Sequence, residues 1–250
     1  MKEYAIYPFD YMRITQRHDQ GNHTAHWNPF KDYADKPWDE ACQDGNRSYF
    51  IPQNDYIIDE IKLNERSLRL STINKVKIPY QEEEVILHIT LTHMKYDDLK
   101  NIKAGQIVKK GTKFILEGDE GGAYGYHFHC TANIGNYYGI KKNSNGKWCF
   151  VYDKSLLPDE AFYVNRKFTN IINANNYSFK ETPVVMKKGD SSNEVEKVCE
   201  FLSNFVKGNY YGDYCEACVS VYKKQHNISG DGSIIDVQTL EAMKKDGLNV

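Results

Sequence analysis

The sequence lacks a long apolar run, an excess of positive charge and an apolar leader, and each absence excludes a class of protein. Its mean hydropathy is −0.67, and no stretch is long and apolar enough for a membrane-spanning helix. The formal net charge is −2, whereas binding to nucleic acid needs clustered lysine and arginine. No basic segment followed by an apolar one begins the chain, so no signal peptide is predicted. We therefore expect synthesis in the cytoplasm, and neither a membrane nor a nucleic acid as partner.

Cysteine is also sparse, with six scattered residues and none of them in a recognisable nucleophile motif. This argues against a thiol hydrolase. Without an export signal, the cysteines are expected to be reduced thiols that are mostly buried. Cys215 and Cys218 look like half a zinc knuckle, but only Cys199 is near enough to add a third thiol. Burial as small hydrophobic side chains is therefore the preferred interpretation.

The most informative stretch is Gly118–Cys130, in which four glycines lead into a His-Phe-His triplet. Glycine lets the backbone pass where a Cβ atom would clash, as in bulges and tight turns beside a site. The triplet is typical of a strand, so His127 and His129 are predicted to share one face while Phe128 takes the other. Two imidazoles on one face can share a metal, or divide the roles of ligand and acid–base catalyst.

Residues 1–165 are predicted to form an antiparallel β domain, because short apolar or alternating runs separated by turn residues dominate them. In the run Glu84–His93, the parity of a strand places His93 at the end of an apolar row and His88 on the other face. A hairpin punctuated by glycines is predicted over residues 103–118.

A polar connector rich in asparagine is predicted over residues 166–183, because asparagine favours turns and loops. Residues 184–250 are then predicted to form a small domain of three short helices. Apolar residues recur there at helical spacing behind cap residues, such as Asp236 before the third helix. The predicted fold class is therefore α+β, with an antiparallel β domain followed by a small helical one.

Three separated segments offer histidines that could act together: His23 or His26, then His93, then His127 with His129. A mononuclear catalytic zinc takes three protein ligands and leaves one position open. His129, one upstream histidine and one carboxylate meet that requirement, and two histidines remain for acid–base work. The carboxylate candidates lie in the irregular segment after residue 28: Asp32, Asp35, Asp39 and Glu40.

Three motifs follow one another in this part of the chain: Leu91-Thr-His-Met94, Gly105-Gln-Ile-Val-Lys-Lys-Gly111 and Gly118-Asp-Glu-Gly-Gly-Ala-Tyr-Gly-Tyr-His-Phe-His129. Their order resembles that of the lysostaphin/LytM-type zinc endopeptidases, which cut peptidoglycan, over most of residues 13–165. The resemblance implies an antiparallel, lysostaphin-like β fold with its site in a groove. It also implies that His129 is a zinc ligand and that His127 and His93 are the catalytic pair.

The first two ligands depart from the family pattern, in which the histidine and the aspartate stand four residues apart. An insertion between them gives His23 and Asp39 as the metal ligands besides His129. The alternatives are His26, Asp32 and Asp35.

The implied mechanism is metal-assisted hydrolysis of a peptide bond. Zinc would lower the pKa of its water to about 7. His127 would act as the general base, and zinc together with His93 would stabilise the oxyanion.

Residues 184–246 resemble the three-helix peptidoglycan-binding domain, through Met186-Lys-Lys-Gly-Asp190 and the Asp231-Gly-Ser-Ile-Ile235 motif. Together the two resemblances imply a zinc metalloendopeptidase with bacterial peptidoglycan as partner and about one zinc per chain. The missing signal peptide suits a phage endolysin made in the host cytoplasm and acting on the cell wall. The alternatives are a non-catalytic LytM-like module that binds the wall or activates another hydrolase, and an N-acetylmuramoyl-L-alanine amidase.

Overall fold

The chain divides into two compact units, residues 3–182 and residues 183–250. Across the residues that the structure describes, no helix is both long and apolar enough to cross a membrane. The computed structural model describes residues 3–26, 33–42, 47–166, 169–181, 186–203, 208–228 and 230–250, without the side chains of 237 and 238.

Strands dominate the first unit. In chain order they are β1 (Tyr11–Gln16), β2 (Trp38–Glu40), β3 (Tyr49–Phe50), β4 (Tyr56–Lys62), β5 (Ser67–Thr72), β6 (Leu87–Thr92), β7 (Ile107–Val108), β8 (Ile115–Leu116), β9 (Phe128–Lys142), β10 (Trp148–Leu156) and β11 (Asn170–Asn173). The helical segments are a 3₁₀ helix (Gly21–Ala25), α1 (Tyr96–Leu99) and α2 (Pro158–Ala161).

One large sheet organises this unit, with neighbouring strands in the order β11-β1-β2-β9-β6-β5-β4-β7 and β10 paired to β9. Every pairing in it is antiparallel except that of β1 with β11. The antiparallel β architecture predicted from the sequence is therefore confirmed. Strands β2, β9 and β6 are adjacent in this order, and they carry the polar residues described below.

The hairpin predicted over residues 103–118 is wrong. Strand β7 pairs with β4, and β8 pairs with β3 in a separate two-stranded sheet. Each of β7 and β8 has only two residues. A pair of such short strands would be unstable alone. The seven-residue β4 joins β7 to the large sheet, whereas β3 is as short as β8 and brings it against the core through the buried Phe50.

The core lies against one face of the large sheet. Leu87, Ile89 and Leu91 of β6 are at most 1% exposed, which confirms the predicted apolar row. His93 was predicted to end this row, but β6 stops at Thr92, and a φ of +77° turns the His93 ring toward His127 on the other face. Phe128 is fully buried, and its ring centroid lies 5.3 Å from that of Phe9. Burial of such a side chain is worth about 1.5–3 kcal/mol. The residue between the two histidines of the triplet therefore anchors them to the core.

The described part of the predicted connector belongs to the first unit. Strand β11 runs parallel to β1, and the Asn173 side-chain amide donates to the Ile14 carbonyl at 3.0 Å. The Thr169 hydroxyl donates to the Phe9 carbonyl at 3.1 Å. Asparagine disfavours regular structure in isolation, but here its amide reinforces an edge strand whose backbone groups the sheet can pair. The first unit accordingly extends beyond the boundary predicted at residue 165.

Helices dominate the second unit. Its elements are β12 (Met186–Lys187), α3 (Asn193–Leu202), α4 (Asp213–Gln225), β13 (Ile234–Ile235) and α5 (Val237–Lys245), with β12 paired to β13. The Ser192 hydroxyl accepts from the backbone N–H of Val195 at 3.2 Å and caps α3. Asp236 accepts from the backbone N–H of Thr239 at 2.8 Å, which confirms its predicted capping role.

Candidate metal centre

Backbone pairing brings distant polar residues to one point on the large sheet. Asp39 of β2 lies opposite His129 of β9, and Thr92 of β6 lies opposite His129 from the other side. His93 follows Thr92 directly. A bridge between Gly118 and His127 fixes the approach to the triplet. The ladder of hydrogen bonds, more than any local sequence feature, therefore sets the spacing of these side chains.

Three imidazole nitrogens converge on one carboxylate oxygen, Oδ1 of Asp39. Nε2 of His23 and Nδ1 of His129 each lie 3.1 Å from it, and Nε2 of His127 lies 3.8 Å from it. The ligand atoms of His23, Asp39 and His129 all fall within 4.8 Å of one another. Two imidazoles and one carboxylate are donors that zinc prefers, and three protein ligands leave the open position that a catalytic site needs.

The surroundings of His23 also fit a cation. Its Nδ1 lies 3.2 Å from the carbonyl oxygen of Arg17, and its Nε2 faces the Asp39 carboxylate. Both partners can only accept hydrogen bonds, and a neutral imidazole has only one N–H to give. One nitrogen of a neutral ring would therefore aim its lone pair at an acceptor. A metal ion between Nε2 and the carboxylate removes this conflict, and His23 is only 3% exposed.

Burial and neighbouring groups shift the pKa values of Asp39 and His129 in opposite directions. Burial would raise the pKa of Asp39, but hydrogen bonds with His129 and His23 outweigh it and hold that pKa below its usual range. Burial lowers the pKa of His129, which favours the neutral imidazole. An ionised carboxylate and a neutral imidazole are the protonation states in which these residues bind metal.

His93 and His127 lie side by side next to these three residues. Their ring centroids are 4.7 Å apart, and that of His93 is 5.7 Å from that of His129. Nδ1 of His93 lies 2.9 Å from the Glu120 carbonyl, and Nδ1 of His127 lies 3.0 Å from the Gly125 carbonyl. Each carbonyl accepts the Nδ1 proton, so in the neutral tautomer Nε2 of each ring is free to accept another.

Burial, followed by the charge of His129, lowers the pKa of His93 to about 4. His93 is therefore neutral at physiological pH.

Glycine permits the close approach of two segments at this point. A Cβ atom on Gly118 would lie 2.0 Å from the carbonyl oxygen of His93, so only glycine fits. Gly121, Gly122 and Gly125 have φ values of +72°, +88° and +78°, which side chains rarely adopt. The prediction that glycines let the backbone pass beside a site is confirmed. His93 itself has φ +77°, a strained conformation that sets the direction of its side chain.

A groove of about 1,120 Å³ opens over these residues. His23, Asp39, His93, His127 and His129 all line it. Its lining also includes two exposed aromatic side chains, Tyr124 and Trp148. The rest of the lining mixes polar side chains and glycines with apolar residues such as Ile140 and Phe150.

The alternatives left open by the sequence take different places. Asp32 lies outside the described residues. His26 and Asp35 pair with each other, 3.1 Å apart from Nδ1 to Oδ1, and lie beside Cys149. They do not join His23, Asp39 and His129. No local motif singles out Cys149, since only the register of β10 brings it next to a histidine 123 residues away.

The sequence matches no protein-family model and none of the curated proteins. Among solved structures, the chain resembles a zinc-containing peptidase from Vibrio cholerae at 18% identity, with a TM-score of 0.32, over 53% of this chain and 36% of that one. It also resembles a mutant catalytic domain of the prophage-encoded M23 protein EnpA from Enterococcus faecalis. That likeness has 16% identity and a TM-score of 0.28, over 61% of this chain and 98% of the other.

The chain thus spans little more than a third of the length of the Vibrio cholerae peptidase.

Proposed function

We propose that the chain is a zinc-dependent endopeptidase that hydrolyses peptide bonds of bacterial peptidoglycan. The observation that carries the proposal is the convergence of three imidazole nitrogens on Oδ1 of Asp39, at the floor of an open groove. His23, Asp39 and His129 would hold the metal. Zinc bound there supplies a Lewis acid that polarises a carbonyl group and lowers the pKa of water to about 7.

His127 is proposed as the first acceptor of the water proton. Its Nδ1 proton is held by the Gly125 carbonyl, so Nε2 presents a lone pair toward Asp39, and its side chain is about 13% exposed. As the water oxygen attacks the peptide carbonyl carbon, its proton passes to this Nε2. The proton later passes to the leaving nitrogen while the C–N bond breaks, which yields a carboxylate and an amine.

His93 has a related task. Because it is neutral and gives its Nδ1 proton to the Glu120 carbonyl, it cannot donate to an oxyanion from the resting state. Its Nε2 can instead accept a hydrogen bond from the attacking water or from protonated His127, whose ring centroid lies 4.7 Å away. His93 would thus orient the water and stabilise the proton held on His127 until that proton passes to the leaving nitrogen.

The substrate class rests on both units. The groove is open, and the exposed rings of Tyr124 and Trp148 in its lining can pack on an extended peptide or a sugar. In the second unit, the sequence of residues 184–246 resembles a wall-binding domain. Attachment of one unit to the wall raises the local substrate concentration for the other. We propose that the chain acts in this way as an endolysin.

Digestion of purified cell walls tests this proposal. Mass spectrometry of the released fragments should show new amines on stem-peptide or cross-bridge residues, and a chelator should abolish their release. A new amine on the residue that was joined to the sugar would instead identify an amidase. Wall binding without release of fragments by the zinc-loaded protein would identify a non-catalytic module.

Two variants separate the proposed roles. His129→Ala should lose metal from this centre together with hydrolysis, because one of three ligands is gone. His127→Ala should keep the metal and lose roughly 10²–10⁴-fold in rate, the usual contribution of a general base. Glu83→Gln, at an exposed position away from the groove, is the matched control and should change neither property. Loss of metal in His127→Ala with retention in His129→Ala would show that the two roles are exchanged.

A further inference from the structure

A second group of metal-binding side chains lies beside the candidate centre. His26 follows the 3₁₀ helix, Asp35 precedes β2, and Cys149 is the second residue of β10. Their ligand atoms all lie within 4.8 Å of one another. We propose that His26, Asp35 and Cys149 form a second site for a divalent cation of the zinc class, separate from the catalytic one.

The distances fit a tetrahedral ion. Nδ1 of His26 lies 3.1 Å from Oδ1 of Asp35 and 4.0 Å from Sγ of Cys149. Ligands on a tetrahedral zinc at ordinary bond lengths are about 3.3 Å apart for nitrogen and oxygen and about 3.6 Å apart for nitrogen and sulfur. Shifts of at most about 0.4 Å therefore bring these two pairs to tetrahedral spacing, and the Asp35 oxygen lies within 4.8 Å of the Cys149 sulfur.

The charges fit as well. The side chain of Asp35 is 1% exposed, and Cys149 is fully buried. A buried carboxylate needs a compensating charge, and a thiolate beside it needs another. One divalent cation neutralises both at once. The combination of thiolate, imidazole and carboxylate favours zinc over magnesium or calcium, which prefer oxygen ligands.

Neighbouring polar groups orient two of the three ligands. The backbone N–H of Phe150 donates to Oδ2 of Asp35 at 3.0 Å, which leaves Oδ1 directed at His26. The side-chain amide of Asn143 donates to Sγ of Cys149 at 3.5 Å. Hydrogen bonds of this kind fix metal ligands in place and stabilise a thiolate. Because His26 and Asp35 also line the groove, an ion can enter from there.

A Cys–His–Asp nucleophile is the other chemistry that these residue types suggest, and the geometry argues against it. In such a triad the thiol and the carboxylate engage opposite nitrogens of the imidazole ring. Here both approach the same nitrogen, Nδ1 of His26. The thiol is also fully buried and so closed to a substrate. A carboxylate oxygen and a sulfur that both lie near one ring nitrogen are placed to bind one ion together with it.

The second site is placed to position the first. His26 stands three residues after His23, and Asp35 stands four residues before Asp39. The ring centroid of His26 lies 5.6 Å from that of His129. An ion that joins His26 and Asp35 to β10 would hold both segments that deliver ligands to the catalytic centre. The expected metal content therefore rises from the one zinc predicted from the sequence to two.

Metal content measured on the full chain, without reference to activity, tests the proposal. After removal of metal by a chelator, reloading with zinc and removal of the excess, elemental analysis should find two zinc ions per chain in the wild type. Cys149→Ser should retain one, and Asp39→Asn should also retain one. Reloading with cobalt should give a sulfur-to-cobalt charge-transfer absorption that persists in Asp39→Asn and disappears in Cys149→Ser. Cys218→Ser, which changes a partly exposed thiol in the second unit, is the control and should retain the charge-transfer absorption.

His26→Gln guards against misfolding of the cysteine variant, because it removes a partly exposed ligand and should likewise retain one zinc. The proposal is overturned if the wild type binds a single zinc that Cys149→Ser keeps, or if the cobalt absorption survives in Cys149→Ser. Failure of the proposed function gives a different result. If the catalytic centre binds no zinc, Asp39→Asn would lose none, while Cys149→Ser would still lose one.

Discussion

Glu117 gives the first unit a pH-dependent stability that can be worked out in advance. Its Oε1 accepts from the backbone N–H of Cys42 and from the hydroxyl of Ser48, each at 2.6 Å. Its Oε2 is buried and has no hydrogen-bond partner among the described residues. Burial therefore raises the pKa of Glu117 from 4.5 to about 7.

The sign follows from proton counting. As the pH rises, the unfolded chain releases this proton near pH 4.5, whereas the folded chain keeps it until about pH 7. The folded state thus binds more protons between these values, so its stability is greatest below pH 4.5 and falls as the pH rises through 7. At about 1.36 kcal/mol for each pH unit, the total loss is roughly 3 kcal/mol. About 2.5 kcal/mol of it falls between pH 5 and pH 8.

Urea unfolding of the wild type and Glu117→Gln at several pH values measures this contribution. The free energy of unfolding of the wild type relative to Glu117→Gln should drop by about 2.5 kcal/mol from pH 5 to pH 8, because glutamine does not titrate. The absolute difference at one pH also contains the cost of burying the new amide, so only the slope is diagnostic. Glu83→Gln, at an exposed position, should run parallel to the wild type. Equal slopes for the wild type and Glu117→Gln would refute the reasoning.

Three further substitutions probe the backbone, the core and the second unit. Gly118→Ala should cost about 1–3 kcal/mol in urea unfolding and reduce wall hydrolysis, because its Cβ would meet the His93 carbonyl; unchanged stability would mean that the loop yields freely. Phe128→Ala should cost about 3–5 kcal/mol by leaving a cavity under the triplet, and a cost below 1 kcal/mol would contradict the proposed anchoring. Asp236→Ala should cost about 3–5 kcal/mol in the unfolding transition of the second unit, because it leaves the buried ammonium of Lys223, now 3.0 Å away, unpaired. A loss typical of a helix cap alone, about 1 kcal/mol, would show that the ion pair contributes nothing.

Much of this arrangement follows from periodicity in the sequence. Alternation along β6 fixed the direction of Leu87, Ile89 and Leu91, but it does not extend to His93, which follows the strand and whose φ of +77° turns its side chain from that row toward His127. The same parity put His127 and His129 on the side away from Phe128. These features depend on neighbours within one strand, where the period of two acts directly.

Pairing between strands could not be obtained in the same way. The glycines around β7 and β8 mark turns correctly, but nothing local says that β4 and β3 are their partners. Nor does local sequence place Cys149 beside His26, because the register between β10 and β9 contains bulges that shift it. Which of several carboxylates faces His129 was likewise a matter of register, and Asp39 occupies that position.

The cross-strand pair of Asp39 and His129 joins residues 90 positions apart in the chain. Before β2 and β9 pair, the metal ligands are far apart and bind an ion only as weakly as isolated side chains do. Capture of zinc would therefore report that the middle of the sheet has been assembled correctly, and misfolded copies would stay both empty and inert. At a free zinc concentration a hundred times the Kd, zinc binding would stabilise the folded sheet by about 2.7 kcal/mol. Metal binding would therefore favour correctly folded copies over misfolded ones.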